Sequence, residues 1–188
     1  NRDMGFLTVD KRGIREKVEK NPYLQYVDVR LVFPDTLMLI IKERAPCANA
    51  QGGGALYLID EEAFVLEAFD TVVPPNNLPV VKGLQVNTAV AGQRVVSSRE
   101  GKVEEYCQIM DELLQQGIVN DIEEINLTDS SHLYLKHYDG FMTELGTISD
   151  LMAKIGTMRA VVLTLQQSGL HNGYIDVTIP GQAIYTPE

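Results

Sequence analysis

The chain has 188 residues, of which 45% are hydrophobic, and a formal net charge of −10, with an isoelectric point near 4.8. This length allows one domain or two small ones. The acidic balance argues against binding to nucleic acid, whose phosphates require basic patches, and against docking on an anionic membrane through charge. No apolar run approaches the ~20 residues of a membrane-spanning helix.

The N-terminal part predicts one helix followed by two strands. Residues 8–20 form the helix, with Asp10 as its N-cap. Alternating apolar and polar residues over Tyr26–Val32 predict a half-buried strand. The nearly uniform apolar run Leu37–Ile41 predicts a more central strand, and Phe33–Thr36 supplies the turn between the two.

A glycine-rich loop follows, and strand signals return after it. Pro46 through Gly54 predicts a hinge, which places a domain boundary near residue 46 and divides the chain into 1–46 and 47–188. Beyond it, Leu78–Gly83 is predicted to be extended. The predicted strands of this part are Leu56–Ile59, Phe64–Phe69, Ile122–Leu127, Leu133–His137, Phe141–Leu145, Tyr174–Ile179 and Ala183–Tyr185.

Two long helices are predicted among these strands. Ser97 and Glu100 have the spacing of a capping box for the first helix. Its apolar stripe at 3.6-residue spacing comprises Val103, Tyr106, Cys107, Met110, Leu113 and Leu114. Thr147 and Asp150 cap the second helix. The order of elements predicts an α+β protein with a mainly antiparallel sheet packed with two long helices.

No pattern of residues predicts catalysis or a metal site. His132 and His137 stand at the two ends of one strand and point to opposite faces. Asp60, Glu61 and Glu62 lie in a turn, where solvated carboxylates are expected. Cys107 falls on the apolar face of a helix and is predicted to be buried, and a disulfide with the other cysteine is not favoured. We therefore assign no catalytic residue, no metal ligand and no cofactor.

An ordered set of short motifs resembles the bacterial cell-division family FtsQ/DivIB. The motifs are Phe33-Pro34-Asp35-Thr36-Leu37, Glu43-Arg44-Ala45-Pro46, Tyr57-Leu58-Ile59-Asp60, Leu78-Pro79 with Gly83, Asp139-Gly140, Leu145-Gly146, the helix containing Lys154, and Tyr174-Ile175-Asp176-Val177. The resemblance implies a partial POTRA-like segment at 1–46, followed by the family's β domain at 47–188. The first strand and helix of a complete POTRA module are missing or reduced to Asn1–Phe6. Ala63 stands where the family often has glycine.

The resemblance also implies a function. The parent protein would be a single-pass membrane protein with this part outside the cytoplasm, at the division septum, anchored through a segment absent here. It would have no catalytic activity. It would bind FtsB/FtsL-type (DivIC/FtsL) partners and help control septal peptidoglycan synthesis, reaching the septal penicillin-binding protein indirectly.

The expected partner site is the last strand. A terminal strand is often an edge strand, to which another chain can add a strand through main-chain hydrogen bonds. Carried over from the resemblance, the site comprises Ile179, Gly181, Gln182, Ala183, Ile184 and Tyr185, with Tyr185 as the best single anchor. The alternative for this strand is that Ile184 and Tyr185 only seal the core. Tyr26–Arg30 offers a second candidate edge.

Two other classes of protein stay open at this point. One is a POTRA-containing assembly or translocation factor of another kind. The other is an enzyme or ligand-binding domain, for which a deep pocket with converging polar groups would be the sign.

Overall fold

The computed structural model describes residues 9–187. By the contacts between residues, the chain divides into two compact units, Asn1–Ala45 and Pro46–Glu188. The reduced strand and helix that the sequence predicts at Asn1–Phe6 lie outside the described residues.

The first unit contains one helix and one β-hairpin. Helix α1 spans Lys11–Val18, and strands β1 (Leu24–Val32) and β2 (Thr36–Glu43) pair antiparallel. Asp10 caps the helix as predicted, because its Oδ1 accepts a hydrogen bond from the Gly13 N–H at 2.9 Å.

Strand β2 does not have the central position that its apolar sequence predicts. In the part of the chain that the structure describes, β2 pairs with β1 alone, and Leu37, Met38 and Leu39 are 49%, 48% and 45% exposed. An apolar run predicts a strand covered on both faces. The described residues of this unit supply only one neighbouring strand and one short helix, so these side chains remain accessible.

The second unit contains strands β3–β13 and the two long helices. The strands are β3 (Ala48–Gly52), β4 (Ala55–Ile59), β5 (Val65–Phe69), β6 (Val80–Lys82), β7 (Val86–Thr88), β8 (Val96–Ser97), β9 (Ile122–Asn126), β10 (Leu133–His137), β11 (Phe141–Gly146), β12 (Gly173–Asp176) and β13 (Ile184–Thr186). Helix α2 spans Lys102–Gln116, and helix α3 spans Leu151–Gln167.

Nine of these strands form one sheet in the order β13-β12-β11-β10-β9-β6-β3-β4-β5, and β7 pairs with β8 separately. Neighbouring strands are antiparallel except at β11–β12, β3–β6 and β6–β9, where they are parallel. The sheet is therefore mixed but mainly antiparallel, which confirms the predicted fold class. The short extended segment around Val80 becomes the strand that joins the two halves of the sheet.

Helices α2 and α3 pack together and share one core with the sheet. The fully buried residues of the two helices include Tyr106, Ile109, Met110, Leu113, Ile155 and Met158. Leu114, predicted on the buried stripe, is 40% exposed. Cys107 was predicted to be buried but is only half-buried, and Arg94 Nη2 donates to its Sγ at 3.3 Å. Neither cysteine of the described chain forms a disulfide.

Helix α2 begins later than predicted, and the capping box does not form. Ser97 belongs to β8, and its hydroxyl accepts a hydrogen bond from the Arg99 N–H at 3.0 Å. The helix begins only after Gly101, which has φ +83. Glycine adopts this left-handed conformation without strain.

A buried lysine secures the start of α2. Lys102 is 2% exposed. Its Nζ donates to Glu105 Oε2 at 2.9 Å, to Ser130 Oγ at 2.8 Å and to the Leu127 carbonyl. These bonds join the first turn of the helix to the segment that follows β9.

The start of α3 uses a second buried lysine. Asp150 precedes the helix as predicted, but it has φ +55 and its side chain makes no capping hydrogen bond. Lys154 is 1% exposed and donates to the Thr147 carbonyl at 2.8 Å. The lysine, rather than a side-chain cap, therefore links the helix to the turn before it.

The β4–β5 turn buries a carboxylate that the sequence predicts to be solvated. Asp60 is fully buried, and its Oδ1 accepts hydrogen bonds from the N–H groups of Glu62 at 3.0 Å and Phe64 at 2.7 Å. Ala63, where the resembled family often has glycine, has φ +65. Asp60 organises the turn because the turn's own N–H groups solvate the charge.

Candidate partner-binding site

The C-terminal strand β13 forms one edge of the nine-stranded sheet. It pairs antiparallel with β12, with Ile184 opposite Asp176 and Tyr185 opposite Ile175. Among residues 9–187, no strand lies on its other side. Strand β13 therefore presents an unpaired main-chain edge.

Strand alternation identifies which residues of β13 direct their main-chain groups outward. The Val177 N–H donates to a carbonyl of β11 at 3.0 Å. Successive residues of a strand direct their N–H and C=O groups to opposite sides. Asp176 therefore faces β13, and its partner Ile184 faces back toward β12. Tyr185 then directs its N–H and C=O outward, and Ala183, two residues earlier, does the same.

The side chain of Tyr185 points into the domain rather than toward an incoming chain. Its ring lies 6.4 Å from the Phe141 ring, edge to face, and its hydroxyl donates to the Asn172 carbonyl at 2.9 Å. A Cβ on Gly173 would lie 2.6 Å from the Tyr185 ring, so glycine is needed there. Tyr185 therefore seals the core with its side chain while its main chain stays at the edge.

The exposed apolar side chain of the strand is Ile184, whereas the side chain of Tyr185, the predicted anchor, packs against the core. Ile184 is 66% exposed. The two residues differ because consecutive side chains of a strand point to opposite faces of the sheet. The sequence alone did not indicate which of them faces the helices.

The other predicted site residues surround the start of β13. Ile179, Gly181 and Gln182 lie in the turn between β12 and β13, and Ala183 directly precedes the strand. The Gln182 N–H donates to the Ile179 carbonyl at 3.0 Å, and Gly181 has φ +75. Ile179 is 57% exposed. The predicted set therefore comprises an exposed turn and a short edge strand.

The sheet face that carries Ile184 holds residues that the sequence reasoning missed. Asp176 lies opposite Ile184 and Glu144 opposite Asp176, so all three share this face. His132 Nδ1 lies 2.8 Å from Glu144 Oε1, and the Tyr174 hydroxyl donates to Glu144 Oε2. The hydrogen bond to Glu144 raises the pKa of His132 above its usual value. The alternation of polar and buried residues in β11 and β12 is the signal that could have located this face.

The opposite edge of the sheet is partly covered. The Val65 N–H of β5 donates to the Gln93 carbonyl at 2.9 Å, and the Gly92 N–H donates back to the Val65 carbonyl at 2.8 Å. A loop thus pairs with the start of β5. Within the described residues no comparable segment pairs with β13, which makes β13 the more accessible edge.

Across 9–187, no cluster of three or more His, Cys, Asp or Glu side chains is placed to hold a metal ion. In the same range, no helix combines the length and apolarity needed to cross a membrane.

Comparison with protein families gives two matches that follow each other along the chain. Residues 1–44 match the family described as the POTRA domain, FtsQ-type. Residues 48–178 match the family described as cell division protein FtsQ/DivIB, C-terminal. The second match alone covers more than half of the chain.

Individual relatives agree with the family matches. The chain is 23% identical over 175 residues to the cell division protein DivIB of Clostridium acetobutylicum, covering 92% of this chain and 67% of that protein. It is 25% identical over 131 residues to FtsQ of Koribacter versatilis, covering 69% of this chain and 35% of that protein.

One solved structure is also similar, the major extracytoplasmic domain of the trans isomer of DivIB from Geobacillus stearothermophilus. It is 14% identical, covers 67% of this chain and 97% of that chain, and has a TM-score of 0.43. On the family matches, the chain belongs to the FtsQ/DivIB family of bacterial cell division proteins.

Proposed function

We propose that this chain is the extracytoplasmic part of a non-catalytic division scaffold. It binds an FtsB/DivIC-type partner by strand addition at β13 and works with FtsL-type proteins to help control septal peptidoglycan synthesis at the division septum. The observation that carries the proposal is the unpaired edge of β13, with Ile184 exposed beside it, in a chain of the FtsQ/DivIB family.

The chemistry of the edge fits this mode of binding. In strand addition, main-chain hydrogen bonds supply affinity, and the side chains on alternate positions supply specificity. The outward N–H and C=O groups of Ala183 and Tyr185 offer the main-chain partners. Ile184 and Ile179 offer exposed apolar area on the same strand and the turn before it. We therefore expect the partner to contribute an extended segment with an apolar residue facing Ile184.

The proposal divides the work between the two segments of the chain. Residues 47–188 carry the partner site, and residues 1–46 form a POTRA-type segment. No group of the chain is assigned a reaction, and the septal synthase is reached only through the partner proteins.

The first experiment tests the outward main-chain groups. Calorimetric titration with the extracytoplasmic segment of the same organism's FtsB/DivIC homologue should give binding to the wild-type chain. Ala183→Pro should weaken it roughly tenfold or more, because proline removes an outward donor and fits poorly in a paired strand. Ala183→Ser keeps the N–H and is the matched control, which should bind like the wild type.

A second pair of variants tests the side chains. Ile184→Lys should weaken binding because it replaces the exposed apolar anchor with a charge, while Arg12→Lys on α1 should have no effect. Circular dichroism must show that each variant is folded. No binding by the wild type would contradict the proposal, and binding that survives both Ala183→Pro and Ile184→Lys would contradict the location of the site.

A further inference from the structure

The sheet face beside β13 carries two carboxylates next to each other. Glu144 of β11 and Asp176 of β12 are paired in the parallel ladder, and Ile184 of β13 pairs with Asp176 from the other side. Directly opposite side chains on one face of a sheet lie about 5 Å apart, and like charges in such positions are destabilising. The two carboxylates therefore repel each other unless positive charge lies beside them.

Glu144 has hydrogen-bond donors for both of its oxygens, whereas Asp176 does not. Glu144 Oε1 lies 2.8 Å from His132 Nδ1, and Oε2 accepts a hydrogen bond from the Tyr174 hydroxyl. Asp176 Oδ1 accepts the Thr178 N–H at 2.8 Å. Within the described chain, no ion pair includes Asp176. Its Oδ2 has no donor there and is not buried, so an incoming group can reach this oxygen.

The hydrogen bond from Thr178 does not require the charge of Asp176. Aspartate and asparagine both accept a hydrogen bond from the N–H group two residues further on, and both form this kind of turn. Asparagine would therefore hold the turn equally well and would not repel Glu144. The negative charge at this position favours a positive group that the described chain does not supply.

Asp176 lies one strand in from the open edge, and the exposed Ile184 stands between the two. Neighbouring strands are about 4.8 Å apart, so a strand added to β13 would lie about 10 Å from β12. Its residue opposite Ile184 would direct its side chain to the face that carries Asp176. A long side chain that leans across Ile184 can therefore reach the Asp176 carboxylate.

This face of the sheet has room for side chains of an added strand. The helices pack on the opposite face, where Ile175 belongs to the core and Tyr185 packs against it. Beyond Glu144 the open face continues into a cavity of about 470 Å³. The apolar and aromatic residues that line it are Tyr134, Met142 and Tyr174.

We propose that the strand added at β13 carries a lysine or arginine opposite Ile184, and that the charge of this residue pairs with Asp176. The proposal rests on strand addition at β13 and names the side chain that the added strand brings. The methylene stem covers Ile184 and supplies the apolar contact expected there, while the head group donates to Asp176 Oδ2. Long basic side chains lie along apolar surface in this way and keep their charge at a polar group. The added charge also offsets the repulsion between Glu144 and Asp176.

The first step of the test identifies the residue that faces Ile184. The Ile184→Cys variant is mixed under mild oxidation with single-cysteine variants of the extracytoplasmic segment of the same organism's FtsB/DivIC homologue. The strongest disulfide marks the facing residue, which should be lysine or arginine in the natural segment. The wild-type chain, with Cys47 buried and Cys107 half-buried, gives the background.

Calorimetric titration then measures the effect of the charge. Asp176→Asn keeps the acceptor of the turn and should weaken binding of the natural segment roughly three- to tenfold, because a charge-assisted hydrogen bond becomes a neutral one. Glu67→Gln removes a carboxylate from β5, at the opposite edge of the sheet, and should bind like the wild type. Changing the facing basic residue to methionine should weaken binding to the wild type by a similar factor and have little further effect on Asp176→Asn. Circular dichroism must show that each variant is folded.

The outcomes distinguish the basic residue from strand addition itself. If Ala183→Pro weakens binding but the facing residue is not basic, or Asp176→Asn binds at least as well as the wild type, the proposal is overturned while strand addition stands. Additive effects of Asp176→Asn and the methionine change would overturn it as well. If the wild type does not bind, or if no disulfide forms and Ala183→Pro leaves binding unchanged, strand addition and the basic residue are both overturned.

Discussion

Gly83 should be among the most sensitive positions of the second unit. It follows β6 and has φ +77. A Cβ at this position would lie 2.3 Å from the Thr128 nitrogen and 2.6 Å from the Leu127 carbonyl carbon. Gly169 has the same φ of +77, but nothing lies within 4 Å of its Cβ position. The two glycines therefore form a matched pair that differs in the space around them.

The comparison separates backbone strain from collision. Gly169→Ala should lower the free energy of unfolding by about 1 kcal/mol, the cost of placing alanine in the left-handed region. Gly83→Ala adds a collision with rigid backbone, which can be relieved only by moving the chain after β6 away from the chain after β9. Such forced shifts cost about 1–3 kcal/mol more. We therefore expect a total loss of about 2–4 kcal/mol for Gly83→Ala.

Urea unfolding provides the measurement. Far-UV circular dichroism and tyrosine fluorescence should be followed together, since the chain has 8 tyrosines and no tryptophan. Coincident transitions by the two probes would justify a two-state treatment. If the two alanine variants lost the same stability to within about 0.5 kcal/mol, the chain after β6 would not be in close contact with the chain after β9 at Gly83.

The remaining predictions concern buried and exposed charges. Lys102→Met should lower the free energy of unfolding by about 3–5 kcal/mol, because it leaves the nearly buried Glu105 carboxylate without its partner. Adding Glu105→Leu to this variant should restore much of the lost stability. If the double variant instead lost the sum of the two single-variant losses, the coupling between Lys102 and Glu105 would be contradicted. Asp60→Ala should lower the free energy of unfolding by about 2–4 kcal/mol, since two N–H groups of the turn lose their acceptor, and urea unfolding would measure it against the milder Asp60→Asn. In a proton NMR titration, His132 should show a pKa above the usual histidine value, and Glu144→Gln should return that pKa toward the usual value. The favourable pair between His132 and Glu144 is present below the pKa of the unfolded state and is lost as pH rises through the pKa of the folded state.

The long elements of this fold were predictable, because each has a strong local pattern. Strand β3 (Ala48–Gly52) was not, since it lies inside the segment that the sequence predicts as a glycine-rich hinge. The 3.6-residue stripe of α2 and the alternation of Leu133–His137 lie where the sequence indicates them. The start of α2 was not predictable in the same way. Ser97 and Glu100 have cap spacing, but Ser97 pairs in β8, and the buried bonds of Lys102 define the helix start instead. Pairing between distant segments overrides a local cap signal.

At the candidate site, too, pairing between distant segments decides what the local sequence cannot, here the orientation of single residues. The sequence indicates a terminal strand but not which side of it faces the helices. That depends on the register with β12, in which Tyr185 lies opposite the buried Ile175. A shift of one residue would exchange the roles of Ile184 and Tyr185.

The short strand β6 has a consequence for how the second unit resists force. Its parallel register matches β3 at only two positions and β9 at three. Within residues 9–187 it is nevertheless the one strand that connects the half-sheet β3-β4-β5 to the half-sheet formed by β9 to β13. The chain enters the unit next to β3, while β13 lies at the far edge. A force applied between these two points is therefore carried by the hydrogen bonds of β6 to β3 and to β9, together with the packing of the helices in the core. In a pulling experiment, we expect rupture to begin at β6 and to separate the two half-sheets before either of them unravels.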